Sequence, residues 1–267
     1  MRQSRPSLDE LRAVAHPPEV IGRVSGEHWA GHLYMRRLSI RLTRLLAPTR
    51  VTPDGLTWCM IVVGLGAALV LTVPHWWSTV VAMVLIQVQL LVDCSDGELA
   101  RWRRHGPGGE VGTGASGIYL DRLGHYVTDA GLAIAVGVHA DGGLGSSHRW
   151  TTLGLLTGVL VLVTKAETDL VHAARASAGL PRARDDAETA RPRVSLLARL
   201  RGLVAHFPFN RALLALEMTL LAVVAAVSDA VGDTDLAMRV LSATLLVVAG
   251  IVTVAHLASV LASGRLR

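Results

Sequence analysis

Apolar residues run along this chain in six long blocks separated by shorter polar stretches. The blocks are roughly Leu56–Val73, Trp77–Val92, Ile118–Val138, Thr151–Thr168, Ala212–Val231 and Leu241–Ala262, the second continuing in a polar register to Arg101. None confines its Leu, Val and Ala residues to one helical face, which implies burial all round. A span needs roughly 20 apolar residues to cross about 30 Å of hydrocarbon. In lipid a backbone must satisfy its own hydrogen bonds. The pattern therefore predicts an all-α integral membrane protein with six transmembrane helices. Residues 27–48 differ: Leu38, Leu42, Leu45 and Leu46 recur at helical spacing, with Arg37, Arg41 and Arg44 on another face. That predicts a cytoplasmic amphipathic helix lying on anionic lipid, with phosphate capture as the alternative role. Residues 1–50 thus read as an N-terminal segment and residues 51–264 as the six-helix domain. A cytoplasmic linker at about 176–210 interrupts that domain (Pro181, Asp185, Asp186, Pro192), and a second short amphipathic helix is expected at 196–204. No internal repeat is visible.

Composition narrows the class. Hydrophobic residues make up 51% and charged residues 18%, the reverse of a disordered chain. The two cysteines, Cys59 and Cys94, lie inside apolar blocks and read as packing residues, with no sign of an oxidising compartment. The net charge is +5, and Lys165 is the single lysine among 26 basic residues. A basic, apolar chain suits either nucleic acid or an anionic membrane face, and the location of the charges decides between them. Nine arginines fall in residues 1–50; Arg101, Arg103 and Arg104 fall between the second and third blocks; eight fall between the fourth and fifth, from Arg175 to Arg211. The alternate connections hold only Arg149 and Arg239. This sidedness predicts a multi-pass protein of the plasma membrane with both termini cytoplasmic, and no nucleic-acid partner. Trp76, Trp77 and Trp150 then fall at the outer interface. The first 50 residues carry positive charge without the apolar core of a signal peptide.

Ionisable residues inside spans are costly and usually functional. The second block holds Asp93, Asp96, Gly97, Ala100 and Arg101. At about 100° per residue, Asp96, Gly97 and Ala100 all fall within about 60° of Asp93, whereas Glu98 points about 140° away. Counting about 1.5 Å per residue from Trp77 places Asp93 about 24 Å deep, near the cytoplasmic side. In the third block Gly117, Asp121 and His125 are spaced by four and share a face, with Gly114 and Gly124 close to it. Two such stripes would face each other closely across their small residues. Asp93, Asp96, Asp121 and His125 would then be too many polar groups to bury unpaired, and a divalent cation is the simplest neutraliser. Oxygen-rich ligation favours Mg²⁺, and the imidazole also admits Mn²⁺.

At these residues the chain resembles the CDP-alcohol phosphotransferase family. Its signature reads D-x2-D-G-x2-A-R, then about eight residues, then G-x3-D-x3-D. Here Asp93-x2-Asp96-Gly97-x2-Ala100-Arg101 matches the first half in full, and Gly117-x3-Asp121 most of the second. Thr52-Pro53-Asp54-Gly55-Leu56-Thr57 is similar to the family's T-P-N-x-x-T. The resemblance covers roughly residues 35–262. It implies a membrane transferase of phospholipid-type biosynthesis, moving a phosphatidyl or other substituted phosphate group from a CDP-linked donor, commonly CDP-diacylglycerol, to an alcohol or sugar-phosphate acceptor, with release of CMP. It implies Asp93, Asp96, Asp121 and the residue at position 125 as metal ligands, Gly97 and Ala100 as room for the nucleotide, Arg101 as a phosphate contact, and a homodimer.

Two positions depart from the pattern. His125 stands at the fourth acidic position, as a candidate base beside Asp121, a ligand, or a sign of a catalytically silent relative acting as a membrane partner. Fifteen residues separate Arg101 from Gly117, through the Gly-rich stretch 105–114, which reads as a surface insertion or as a lid. Lys165 is open to two readings: an anchor for an anionic acceptor, with Arg122, or a partner of Asp169. A small transporter is the competing function; the clustering of the acids near one face, without broken helices, speaks against it.

Overall fold

The computed structural model describes residues 5–17, 29–106, 114–145, 148–181, 209–262 and 266. The described residues are helical and turn structure, with no strand among them. In chain order the helices are α1 (Leu8–Ala15), α2 (Arg36–Leu46, entered through a π-turn at Gly31–Met35), α3 (Pro53–Leu71), α4 (Trp76–His105), α5 (Ala115–Ala140), α6 (Arg149–Ser177), a 3₁₀ turn at Phe209–Leu213, α7 (Ala215–Gly232) and α8 (Leu236–Ala262). Each of the six apolar blocks coincides with one long helix.

Four of these helices, α3, α4, α7 and α8, are long and apolar enough to cross a membrane. Helices α5 and α6 have the length, at 26 and 29 residues. Their apolar character is diluted by Asp121, Arg122, His125 and Asp129 in one, and by Lys165, Glu167, Asp169, His172 and Arg175 in the other. Apolarity therefore gives four candidate spans among the described residues where the block pattern predicts six. Of the linker expected at about 176–210, residues 182–208 lie outside the described residues, as do the short helix expected at 196–204 and residues 107–113 of the Gly-rich stretch 105–114. Cys59, expected as a packing residue, is exposed on the helix surface, and Cys94 is half-buried.

The chain divides into two compact units, one of residues 1–66 with 84–125, the other of residues 67–83 with 126–267. In the first, α1 begins with a capping box: the Glu10 amide donates to Ser7 Oγ, and Glu10 Oε2 accepts from the Ser7 amide. Helix α3 starts on Thr52, whose hydroxyl accepts from the Gly55 amide, with Pro53 in the first turn, where its missing N–H costs nothing. Helix α2 turns Ser39, Ile40 and Thr43 inward, and Met35, the last residue of the π-turn, is buried before it. Its outer surface carries Leu38 and Leu45 next to Arg37 and Arg41.

In the second unit, carboxylates start the helices. Asp141 accepts from the Trp150 and Thr151 amides at the head of α6. Asp229 accepts from the Ala237 and Met238 amides at the head of α8. These amides are among the four that a helix N-terminus leaves without internal partners. Helices α5 and α6 meet backbone to backbone. A Cβ on Gly154 would lie 2.9 Å from the Ala133 carbonyl oxygen and 3.1 Å from Gly137 Cα. Small residues permit that approach.

Candidate metal and phosphate site

The candidate site lies wholly within the first unit. Helix α4 supplies Asp93, and α5 supplies Asp121 and His125, one turn apart on the same face. His125 Nε2 lies 3.3 Å from Asp93 Oδ1 and 3.5 Å from Asp121 Oδ1. One ligand atom from each of the three falls within 4.8 Å of the others, so the group could hold a metal ion. All three side chains are partly accessible, which leaves a path for an ion and a substrate. Two hard carboxylate oxygens and one imidazole nitrogen suit Mg²⁺ or Mn²⁺. Helices α3 and α5 approach closely beside the group: a Cβ on Gly124 would lie 2.9 Å from Ile61 Cγ1.

Asp96 is placed differently from the converging three. It is buried one turn beyond Asp93, and its Oδ2 accepts a 2.6 Å hydrogen bond from Thr57 Oγ1 on α3. Gly97 and Ala100 lie on the same side of α4, Gly97 half-buried and Ala100 exposed. The guanidinium of Arg101 folds back over Gly97: a Cβ there would lie 3.3 Å from Nη1 and 3.6 Å from Nη2. Helical side chains lean toward the N-terminus, so a glycine four residues earlier lets the fork lie along the helix. Arg101 Nε donates to the carbonyl oxygen of Ala15, 2.7 Å away, at the end of α1.

Three neighbours of the site, Thr57, Asp54 and Glu98, are named from the sequence without a role at the site. Thr57 holds Asp96, and its signal was the threonine that closes the Thr52–Thr57 motif. Asp54 Oδ2 accepts from Ser116 Oγ at 2.8 Å, and its Oδ1 lies 3.3 Å from where a Cβ on Gly117 would sit. The glycine that begins the second half-motif thus makes room for Asp54. Glu98, facing away from Asp93, is fully buried. It accepts from Ser39 Oγ (2.5 Å) and Thr43 Oγ1 (2.7 Å) of α2 and lies 2.8 Å from His16 Nε2.

Lys165 belongs to the second unit, where its ion pair is with a residue other than the expected Asp169. It pairs with buried Asp129 at 2.8 Å and lies 5.7 Å from the centre of the Tyr126 ring. Asp169 accepts instead from the Tyr126 hydroxyl, 2.6 Å away. Asp129 also accepts from the Ala215 amide at the head of α7, so it is a structural tie.

Among the described residues, apolar helices, with acids and an imidazole gathered on two of them, mark a class: an integral membrane protein with a group that could hold a divalent cation. The particular resemblance is to the CDP-alcohol phosphatidyltransferase family, whose model matches residues 50–163. The matched stretch contains Asp93, Asp96, Gly97, Ala100, Arg101, Gly117, Asp121 and His125. It supports, at a coarse level, a membrane transferase that moves a phosphatidyl-type group from a CDP-alcohol. No curated protein matches the chain.

Proposed function

We propose that the chain is a metal-dependent transferase of phospholipid-type biosynthesis, moving a substituted phosphate group from a CDP-linked donor to an alcohol or sugar-phosphate acceptor. The observation that carries this reading is the convergence of Asp93, Asp121 and His125 inside the segment that matches the family model. CDP-diacylglycerol is the proposed donor, and Mg²⁺, replaceable by Mn²⁺, the proposed ion. Asp93 and Asp121 would hold it, with Asp96 beside them, and the His125 imidazole next to them would serve as base and not as ligand. Bound there, the ion supplies neutralisation of the diphosphate charge, which phosphoryl transfer depends on.

The chain's own groups do the rest. Gly97 and exposed Ala100 leave α4 free of bulk where the nucleotide lies against it. The terminal nitrogens of Arg101 offer a planar fork to phosphate oxygens. The acceptor oxygen forms a bond to the phosphorus that carries the donor's alcohol group, and the bond from that phosphorus to CMP breaks. The acceptor hydroxyl loses its proton to the His125 imidazole, which serves as general base. The carboxylates of Asp93 and Asp121, 3.3 and 3.5 Å from Nε2, stabilise the imidazolium that forms.

We place six helices across the plasma membrane, with α5 and α6 as the two polar spans, both termini cytoplasmic, and the protein a homodimer. The Leu38–Leu45 surface of α2 lies on lipid with Arg37 and Arg41 at headgroup level. The test is CMP release from CDP-diacylglycerol in mixed micelles, with glycerol phosphate, inositol phosphate and free polyols as acceptors. Release that needs Mg²⁺ or Mn²⁺ and is lost in Asp96→Asn supports the reading. Release that persists with chelator or in Asp96→Asn overturns the site. The histidine at the fourth acidic position favours a second reading, a silent relative acting as a membrane partner. No turnover with any CDP donor would establish that reading.

A further inference from the structure

Arg101 is held from outside the matched segment, by the first helix of the chain. The last four carbonyls of a helix have no internal partner, and the helix C-terminus carries partial negative charge. The Ala15 carbonyl of α1 is one of these, and it takes the Nε–H of Arg101 at 2.7 Å. An arginine so fixed at Nε keeps its two terminal nitrogens free to point as one fork. Here they lie over Gly97, on the side of α4 that carries Asp93 and Asp96.

The docking of α1 is built, not incidental. Leu11 and Ala15 are fully buried with Ile40 of α2, and Leu8 and Trp102 pack on that cluster. Arg44 Nε donates to the Pro6 carbonyl oxygen at 2.9 Å, tying α1's lead-in to α2. His16 Nε2 lies 2.8 Å from Glu98 Oε1, and the same carboxylate binds Ser39 and Thr43. Glu98 and Arg101 are three residues apart on α4, so both ends of the α1 C-terminus are gripped by one turn of that helix.

We infer that α1 is a positioning clamp: Ala15 and His16, anchored through Glu98, set the direction of the Arg101 fork for the donor's phosphates. His16 and Glu98 are positioning residues that act through Arg101. This inference rests on the transferase reading, and its test separates the two. CDP with Mg²⁺ is titrated calorimetrically into the full-length protein in detergent, and Mn²⁺ binding is followed by electron paramagnetic resonance without nucleotide. His16→Ala is expected to weaken CDP binding five- to tenfold while leaving Mn²⁺ affinity within twofold. His16→Gln, which keeps a donor of similar reach, restores CDP binding. In an Arg101→Ala background, His16→Ala adds less than twofold, because the residue acted on is gone.

CDP affinity within twofold of wild type in His16→Ala overturns the clamp. So does an equal loss in both backgrounds, or a parallel loss of Mn²⁺ affinity. If the wild-type chain neither binds CDP nor releases CMP, the transferase reading falls and amide hydrogen exchange decides the clamp alone. Exchange in α1 at least tenfold faster in Arg101→Ala supports it, and unchanged exchange overturns it.

Discussion

Asp129 and Lys165 provide a test of the second unit that is independent of any activity. The Asp129 side chain is nearly inaccessible, that of Lys165 is about one-fifth exposed, and the ions are 2.8 Å apart. At an effective dielectric of about 20, their gross attraction at that distance is about 6 kcal/mol. Desolvation consumes several kcal/mol of this, so the pair itself contributes little net stability. Removing one partner is a different matter, because it strands the other charge. Asp129→Asn keeps an acceptor for the Ala215 amide and so isolates the charge. Its expected cost is about 3 kcal/mol, at the low end for buried pairs because Lys165 retains some access to solvent. Lys165→Met should cost a similar amount. The double variant should be clearly more stable than either, since no charge is left uncompensated. The measurement is thermal unfolding in detergent, where about 3 kcal/mol corresponds to a fall of at least about 6 °C for a chain of this size. A double variant that loses the sum of the two singles would refute the reasoning, for then each residue acts alone.

Three further outcomes follow from other contacts. Asp93→Asn and Asp121→Asn should each weaken Mn²⁺ binding at least tenfold, as measured by electron paramagnetic resonance, because each supplies one carboxylate oxygen of the converging set. Gly154→Val should destabilise by about 1–3 kcal/mol in thermal unfolding, since its Cβ meets the Ala133 and Ile134 carbonyls and Gly137 Cα, which cannot turn aside as a side chain can. The Glu10 carboxyl is held below its ordinary value of 4.5 by the Ser7 amide and hydroxyl. A depressed carboxyl adds stability above that value and loses it as pH falls through the lowered one, so α1 amides should exchange faster below about pH 4.5, and Glu10→Gln should remove that step.

The helices were legible because period and length speak directly, and each apolar block became one helix. The shared face was legible as well: Asp121 and His125 at i and i+4 had to lie together, but the glycines beside them, Gly117 and Gly124, make room for Asp54 and Ile61 of α3 and not for α4. Partners distant in sequence were not. Asp96 was read with Asp93 because the two share a stripe, yet a threonine 39 positions earlier claims its carboxylate. Glu98 was set aside because its angle points away from Asp93. That angle was right, but the side it faces is covered by Ser39 and Thr43, themselves spaced by four on a helix read mainly for its leucines. The Arg101 contact with Ala15 is to a backbone carbonyl, and no side-chain pattern announces such an acceptor. Four spans rather than six stand on apolarity because α5 and α6 spend their interior positions on Asp129, Lys165, Glu167 and Asp169, which pair within the protein.

The backbone contact of α5 with α6 bears on the order in which the chain assembles. Gly137 and Gly154 are 17 residues apart, and Asp141 caps the helix that follows it almost at once. Closing so short a loop carries little entropy, so this hairpin can form while later residues are still being synthesised. Once formed, it carries Asp129 and Lys165 already joined, with the second carboxylate oxygen of Asp129 still open. The amide of Ala215, arriving some 50 residues after Lys165, finds that oxygen in place. The hairpin then serves as the template on which the first turn of α7 is set.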